Sequence, residues 1–330
     1  TLSLPGTRLI GFSGGGRGGL FGIKTIGKVG NINFTMVTSQ DKGSSNRKSF
    51  QGQAEEIAHE IRDYEYLEDA YFFLDEIYRD DFGANRLPSE RTRVNVQSVR
   101  VFLNDFNPLN DIEDRAIAGL SYAFWKENGD PDIDRSRPED KGLEEGFFHE
   151  LDPQDFTVFP EGYIIYERGR INPGFTLAVT YSTEGGQTFG DPLFIPDPNN
   201  PDSKIRLKLL KAKQQRPESP TWPLSWRNVY SLGSRNIEPE GFALSIFREL
   251  PGQEPLNNQE GIHYLQIFNL DRRTNGSSDS SPPDNLIDIP VTPEIPGLNL
   301  ARGHIVFPDL EPFGAPGVGA EELDDADRVP

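Results

Sequence analysis

The chain has 330 residues, which at about 100 to 200 residues per domain leaves room for two compact domains, and its 52 acidic against 33 basic side chains give a net charge of −19. A field of that sign repels phosphate backbones and anionic lipid surfaces, so no nucleic acid is expected as a partner. Cysteine is absent and only four histidines occur, which removes disulfides, thiol nucleophiles and thiolate metal sites and leaves few other metal constellations.

The acidic residues are spread along the chain, as on a solvated acidic surface. Thirty-three Gly and 27 Pro among 22 Phe and 10 Tyr predict short strands broken by turns. No apolar run approaches the roughly 20 residues of a membrane helix, so strands would have to make any membrane crossing. An opening at Thr1 and a polar end at Glu321-Glu322-Leu323-Asp324-Asp325 read as an excised or processed piece.

In residues 9 to 40, Phe21, Ile23, Thr25, Gly27 and Val29 alternate with Gly22, Lys24, Ile26 and Lys28. Gly30-Asn31 then makes a two-residue turn, and Ile32, Phe34, Met36 and Thr38 return. The hairpin pairs Val29 with Ile32. Its dyad pattern and strand length suit the wall of a transmembrane barrel, although periodicity alone favours a half-buried hairpin of a soluble sheet. Just before it, Gly14, Gly16 and Gly19 have the spacing of a dinucleotide-binding fingerprint. A strand pattern follows them instead of a helix, so a strand-end loop is expected there and no nucleotide.

Tyr66, Ala70, Phe73, Leu74 and Ile77 fall on one helical face and predict a helix within residues 53 to 82. The alternation from Arg93 to Leu103 predicts a strand, and a second helix is expected over Asp111 to Lys126. Behind that helix, Asn128, Asp130, Asp132, Asp134 and Glu139 occupy positions 1, 3, 5, 7 and 12 of a loop with the ligand types of a calcium site. Position 6 is Ile133 where the loop wants Gly, so a solvated acidic loop is preferred and no cofactor is expected, with calcium as the side hypothesis. Short strands joined by turns follow around Leu151 to Val158, Glu161 to Tyr166 and Phe175 to Tyr181, as in an antiparallel sandwich-like module.

Residues 194 to 203 read as a linker. The last third contributes strands at Ile205 to Leu210, Phe242 to Leu250, Tyr264 to Leu270 and His304 to Phe307, with a loop at Thr274 to Pro283. Trp222 and Trp226 could line a sugar platform, but such pairs more often anchor a loop to a core. The four histidines lie far apart, no carboxylate pair stands out and Ser231-Leu232-Gly233 is no nucleophile elbow, so no catalytic residue is assigned and no enzyme is expected.

Together these elements give a mainly β chain with some α, of α+β class. It comprises an amphipathic hairpin of barrel-wall type plus antiparallel sandwich-like modules with one or two helices. The divisions expected are 1–52 for the hairpin, 53–200 for a mixed helix and antiparallel-β module, and 201–330 for a β-rich module.

Trp226-Arg227-Asn228-Val229-Tyr230-Ser231-Leu232-Gly233, followed by Gly241-Phe242-Ala243-Leu244-Ser245-Ile246, opens a series of blocks. Leu265 to Arg272, Pro283 to Asp288 and Gly303 to Gly314 continue it in order. In this the chain resembles the SprA/Sov family of type 9 secretion proteins. Upstream, Gly19 to Lys24 with Thr38-Ser39-Gln40, and Tyr71-Phe72-Phe73-Leu74 with Tyr78-Arg79-Asp80, are similar to the family's barrel-strand hairpin and the aromatic helix after it.

The resemblance implies a segment of a giant bacterial outer-membrane translocon at the cell surface that exports folded cargo and supports gliding motility. Its implied partners are the rest of the same giant barrel chain, smaller outer-membrane barrel and plug proteins, and exported cargo. It also favours the membrane-wall reading of residues 20 to 40. The alternative is a free-standing cell-surface β-sandwich that binds glycan or calcium.

Overall fold

The computed structural model describes the backbone of residues 20–29 and 32–37, and residues 59–313 apart from 90, 197–199, 201–202, 250–252, 276–280, 291 and 293–294. The chain forms two units, one from residues 1–67 with 227–330 and the other from residues 68–226. The second is thus a continuous insertion in the first, with divisions at 67/68 and 226/227 where 52/53 and 200/201 were expected.

The first unit begins with β1 (Leu20–Val29), β2 (Ile32–Val37) and β3 (His59–Arg62). β1 and β2 form the expected hairpin, and Val29 stands opposite Ile32 as the spacing requires. β3 pairs antiparallel with β1, bringing Ile61 opposite Ile23. The glycine-rich stretch 14–19 lies outside the described residues.

The inserted unit contains β4 (Tyr71–Phe73), α1 (Glu76–Gly83), β5 (Arg100–Asn104), β6 (Ile117–Tyr122) and β7 (Leu143–Glu150). It continues with β8 (Phe156–Phe159), β9 (Tyr163–Tyr166), β10 (Thr176–Ser182), β11 (Thr188–Phe189) and β12 (Ile205–Lys211). Five of these strands close on themselves in the order β5-β7-β6-β12-β10-β5. All the pairs are antiparallel except β6 with β12. Closure removes the free edges that an open sheet would present, and β11 adds a short strand beside the end of β10.

Phe102, Phe148, Ala178, Ile205 and Leu207, with half-buried Ile117, fill the barrel interior, so every wall strand contributes to one apolar plug. Gly119 makes room for it, because a Cβ there would lie 2.9 Å from the Phe148 ring and 3.0 Å from Ile205. A separate sheet, β4-β9-β8, stands beside the barrel in the same unit. α1 is fastened to the barrel by an ion pair between Asp75 and Lys208 of β12.

Two expected helices are corrected here. Of the described residues from 59 to 82, only those from Glu76 onward, in α1, are helical, entered through Asp75, whose side chain accepts from the Ile77 amide. Tyr71, Phe72 and Phe73 are all buried in β4, because a strand buried on both faces shows a continuous apolar run that helical spacing mimics. Residues 111 to 126 hold no α-helix. They run through a loop into β6, whose Ile117, Gly119 and Ser121 stand opposite Phe148, Gly146 and Glu144. The strand expected over 93 to 103 is shorter: Val94 makes an isolated bridge to Thr183, a 3-10 turn takes Val96–Ser98, and β5 follows.

The chain then returns to the first unit with β13 (Val229–Ser231), β14 (Glu238–Glu249), β15 (Asn258–Gln259) and β16 (Ile262–His263). One helical turn, α2 (Tyr264–Ile267), precedes β17 (Gly297–Asn299) and β18 (His304–Val306). α2 corrects the strand expected at Tyr264 to Leu270. The Phe268 amide donates to the Tyr264 carbonyl at 2.9 Å, and Asn269 ends the turn at a φ of 60°. β14 pairs along β1 and sets Ile246 opposite Ile23, while β13, β18 and β17 form a three-stranded sheet. The class is mainly β with little helix, as the composition predicts.

Candidate functional site

The sequence blocks between Trp226 and Gly314 are scattered over nearly 90 positions, yet they supply most of one hydrophobic cluster. Tyr230 and Leu232 come from the first block, Phe242, Leu244 and Ile246 from its continuation, and Leu265, Ile267, Phe268 and Leu270 from the next. Ile287, Ile305, Phe307 and Phe313 come from the later blocks, and Ile61, Ile237, Tyr264 and Leu298, from outside them, complete it. Phe307 sits edge-on to Tyr230 at 5.4 Å, to Phe268 at 5.5 Å and to Phe313 at 5.3 Å between ring centres, the arrangement aromatic quadrupoles favour.

Polar residues of the same blocks hold the backbone. Asn228, fully buried, donates its side-chain amide to the Phe307 carbonyl at 2.6 Å. The buried Asp271 carboxylate accepts the amides of Asp284 at 3.1 Å and Asn285 at 2.8 Å. Asp288 accepts those of Arg272 at 3.2 Å and Arg273 at 3.4 Å. A carboxylate that accepts two main-chain N–H groups organises a turn as a cap organises a helix end. Arg227 and Glu311 form an ion pair, and the Tyr230 hydroxyl donates to the Asp63 carbonyl at 2.5 Å. These side chains act as fasteners between segments, and sequence reading assigned no role to Asn228, Asp271 or Asp288.

The acidic loop is built differently from a calcium loop. Trp125 bridges Pro131 and the Lys126 amide donates to the Asp130 carbonyl at 2.8 Å, so residues 125 to 131 close a tight turn of their own. Within it the Asn128 side-chain amide donates to the Asp130 carboxylate at 2.8 Å. Asp132 accepts the Ser136 amide through its carbonyl, Asp134 accepts Arg137 Nε through its carbonyl at 2.9 Å, and Glu139 lies in a further turn. The five residues therefore occupy successive turns, and Ile133 points to solvent. Among the described residues no three His, Asp or Glu side chains are grouped so as to hold a metal ion.

Trp226 is 1 % exposed, enclosed by Tyr71, Phe73, Phe82 and Tyr163 at ring-centre distances of 5.5, 4.7, 4.8 and 5.0 Å. A buried indole cannot stack on a sugar, so Trp222 and Trp226 make no open platform. Trp226 is the anchor of the β4-β9-β8 sheet.

The inserted unit also buries charge that sequence reading missed. Lys208 meets Asp75 at 2.5 Å, and beside Asp75 the Tyr78 hydroxyl donates to the Thr92 carbonyl at 2.7 Å. Burial pushes the Tyr78 and Tyr181 phenols upward, so both stay protonated. Lys211 is wholly buried and donates to the carbonyls of Phe175, Pro173 and Asn172 at 2.9, 3.1 and 3.3 Å. Burial draws its ammonium below the usual lysine range, while Asp69 opposes that shift. Glu144 accepts the Lys213 amide at 3.1 Å and the Thr176 hydroxyl at 3.3 Å, and burial raises its carboxyl. The signal in sequence was the pattern Ile205-Arg206-Leu207-Lys208-Leu209-Leu210-Lys211, in which lysines interrupt a strand too apolar to be an exposed edge.

No protein-family model matches the chain, and no curated protein matches it.

Proposed function

We propose that this chain is a non-catalytic structural segment of a giant bacterial outer-membrane translocon, of the type 9 secretion kind, that exports folded proteins and serves gliding motility. The observation that carries this reading is the convergence of the resembling blocks in one core. Segments from Tyr230 to Phe313 that are similar to the SprA/Sov family pack on each other and on Asn228, Asp271 and Asp288. A likeness whose later blocks fall on a core and its fasteners is that of a shared scaffold, and a scaffold needs no catalytic group. Its partners in this reading are the remainder of the same polypeptide, smaller barrel and plug proteins, and cargo.

Leu67 donates its amide to the Val229 carbonyl at 2.7 Å, so the ends of the insertion meet inside the first unit and a short linker can replace residues 68–226. The test uses the full-length protein in the bacterium that encodes it, measuring cargo in the medium and surface gliding. Replacing buried Ile246 with Asp in the first unit should abolish both while the polypeptide still fractionates with the outer membrane. Normal export with that core disrupted, or recovery of the wild-type polypeptide outside the outer membrane, would sink the reading.

A second reading is favoured by one observation. Ile61 and Ile246, the residues on either side of Ile23, are both buried in the first unit's own core. A sheet packed in this way belongs as readily to a free-standing cell-surface domain as to a barrel wall. That reading requires the isolated chain to fold and stay monodisperse without detergent.

A further inference from the structure

We propose that the loop between β5 and β6, residues 105–116, is a preformed docking knob that places Leu109 and Ile112 in an apolar pocket rimmed by lysine or arginine on a protein partner. The two side chains are 92 % and 94 % exposed. Isolated surface leucines need no explanation, but two large aliphatic side chains three residues apart on one pinned loop form a unit.

The pinning is extensive. The Phe106 amide donates to Asn104 Oδ1 at 2.9 Å, the Asn107 amide to Asp105 Oδ1 at 3.0 Å and the Leu109 amide to Asn107 Oδ1 at 3.2 Å. Asn110 then spans the loop, donating to Asp105 at 2.9 Å and to Asp114 at 2.7 Å, and the Ala116 amide closes it on the Asp111 carbonyl at 2.8 Å. At its base Lys213 sits 3.7 Å above the Phe106 ring. Phe106 and Arg115 hold φ values of 57° and 54°, a left-handed backbone that non-glycine residues adopt only where the surroundings impose it. A loop so fixed loses little conformational entropy when it binds, which is where preformed surfaces gain affinity.

Charge selects the occupant. Asp105, Asp111, Glu113 and Asp114 share the loop with the two aliphatic side chains, and Arg115 is the one basic residue in residues 105–116. An anionic membrane would be repelled by this acidic loop, and a second copy of a chain of net charge −19 would be repelled as a whole. A protein pocket with an apolar floor and a cationic edge complements both features.

The test places a benzophenone amino acid at Leu109 in the full-length protein in its own cells, with the same probe at Leu87, which is 83 % exposed, as control. The expected result is a Leu109-specific adduct with one protein, its attachment site mapping to an apolar pocket flanked by Lys or Arg. Ile112→Asp should weaken that adduct about ten-fold or more without changing the protein's melting temperature, since Ile112 has no buried contact to lose. Adducts with lipid, with another copy or with this chain alone would overturn the proposal. So would the same adducts from Leu109 and Leu87, or an adduct indifferent to Ile112→Asp.

Discussion

The Asn228 side-chain amide donates to the Phe307 carbonyl at 2.6 Å while the Phe307 amide returns a bond to the Asn228 carbonyl at 2.9 Å. One residue thus ties two segments together through both its backbone and its side chain, in a place buried from solvent. Asn228→Ala leaves the Phe307 carbonyl without its side-chain donor, which costs about 1 to 3 kcal/mol. Asn228→Asp should be worse, because it faces a carbonyl with an acceptor and buries a charge. All three tryptophans lie in residues 68–226, so hydrogen exchange at β13 and β18 is the appropriate readout. Unchanged protection there in either variant would remove the fastening role.

Gly146 of β7 lies so close to Asn104 on the adjacent strand β5 that a Cβ would lie 2.2 Å from Asn104 Nδ2. Gly146→Ala should therefore destabilise the inserted unit by about 1 to 3 kcal/mol through overpacking. The mechanism has its own control: Asn104→Ser shortens the obstructing side chain, so in the double variant the two costs should sum to more than the loss observed. Strictly additive losses in urea unfolding followed by tryptophan fluorescence would mean that the clash is not the cause.

Much of this architecture was legible because it rests on alternation and turn chemistry. The Val29–Ile32 register followed from a two-residue turn, and β9, β10, β12 and β18 fall where alternating or β-branched runs predicted strands. The failures differ in cause. Tyr71 to Phe73 are continuously apolar and buried, which erases the period that separates helix from strand, whereas in Tyr264 to Leu270 half-buried Gln266 and exposed Asn269 stand three residues apart, a helical spacing that the strand reading passed over. Barrel closure was not legible either, since pairing β5 with both β7 and β10 is a long-range fact. Asn228, Asp271 and Asp288 look like ordinary loop residues until the turns they hold are seen.

Trp226 should be the most sensitive single position of the inserted unit. Its indole fills the space among Tyr71, Phe73, Phe82 and Tyr163, and Trp226→Ala should cost about 3 to 5 kcal/mol. Trp125 and Trp222 remain as fluorescence reporters. A loss below about 1 kcal/mol would mean that the cluster collapses onto the gap.

The acidic loop makes a prediction of the opposite kind. Because Asn128 and Asp130 are turned on each other in one turn while Asp134 and Glu139 lie in others, millimolar calcium should leave the melting temperature where it is. A rise with calcium that a chelator reverses would show the loop closing on the ion, and would restore the calcium-binding surface domain as a reading.

Glu144 supplies the pH dependence. It lies on β7, accepting from the Lys213 amide and the Thr176 hydroxyl, and its carboxyl is raised above the ordinary value of 4.5 chiefly by burial. A folded state with the higher pKa binds the proton more readily than the unfolded chain. The stability contributed by that proton is therefore complete below pH 4.5 and is lost as pH rises through the folded value. Glu144→Gln keeps an oxygen for the Lys213 amide and an amide for the Thr176 hydroxyl, yet cannot ionise. Over the interval that begins near pH 4.5, the stability of the wild type relative to Glu144→Gln should fall with increasing pH and then level off. Urea midpoints for the two proteins, measured at closely spaced pH values, give that difference directly, with the other acids cancelling between them. A difference that stays flat, or that grows in favour of the wild type as pH rises, would show that the hydrogen bonds from Lys213 and Thr176 outweigh burial at this carboxylate.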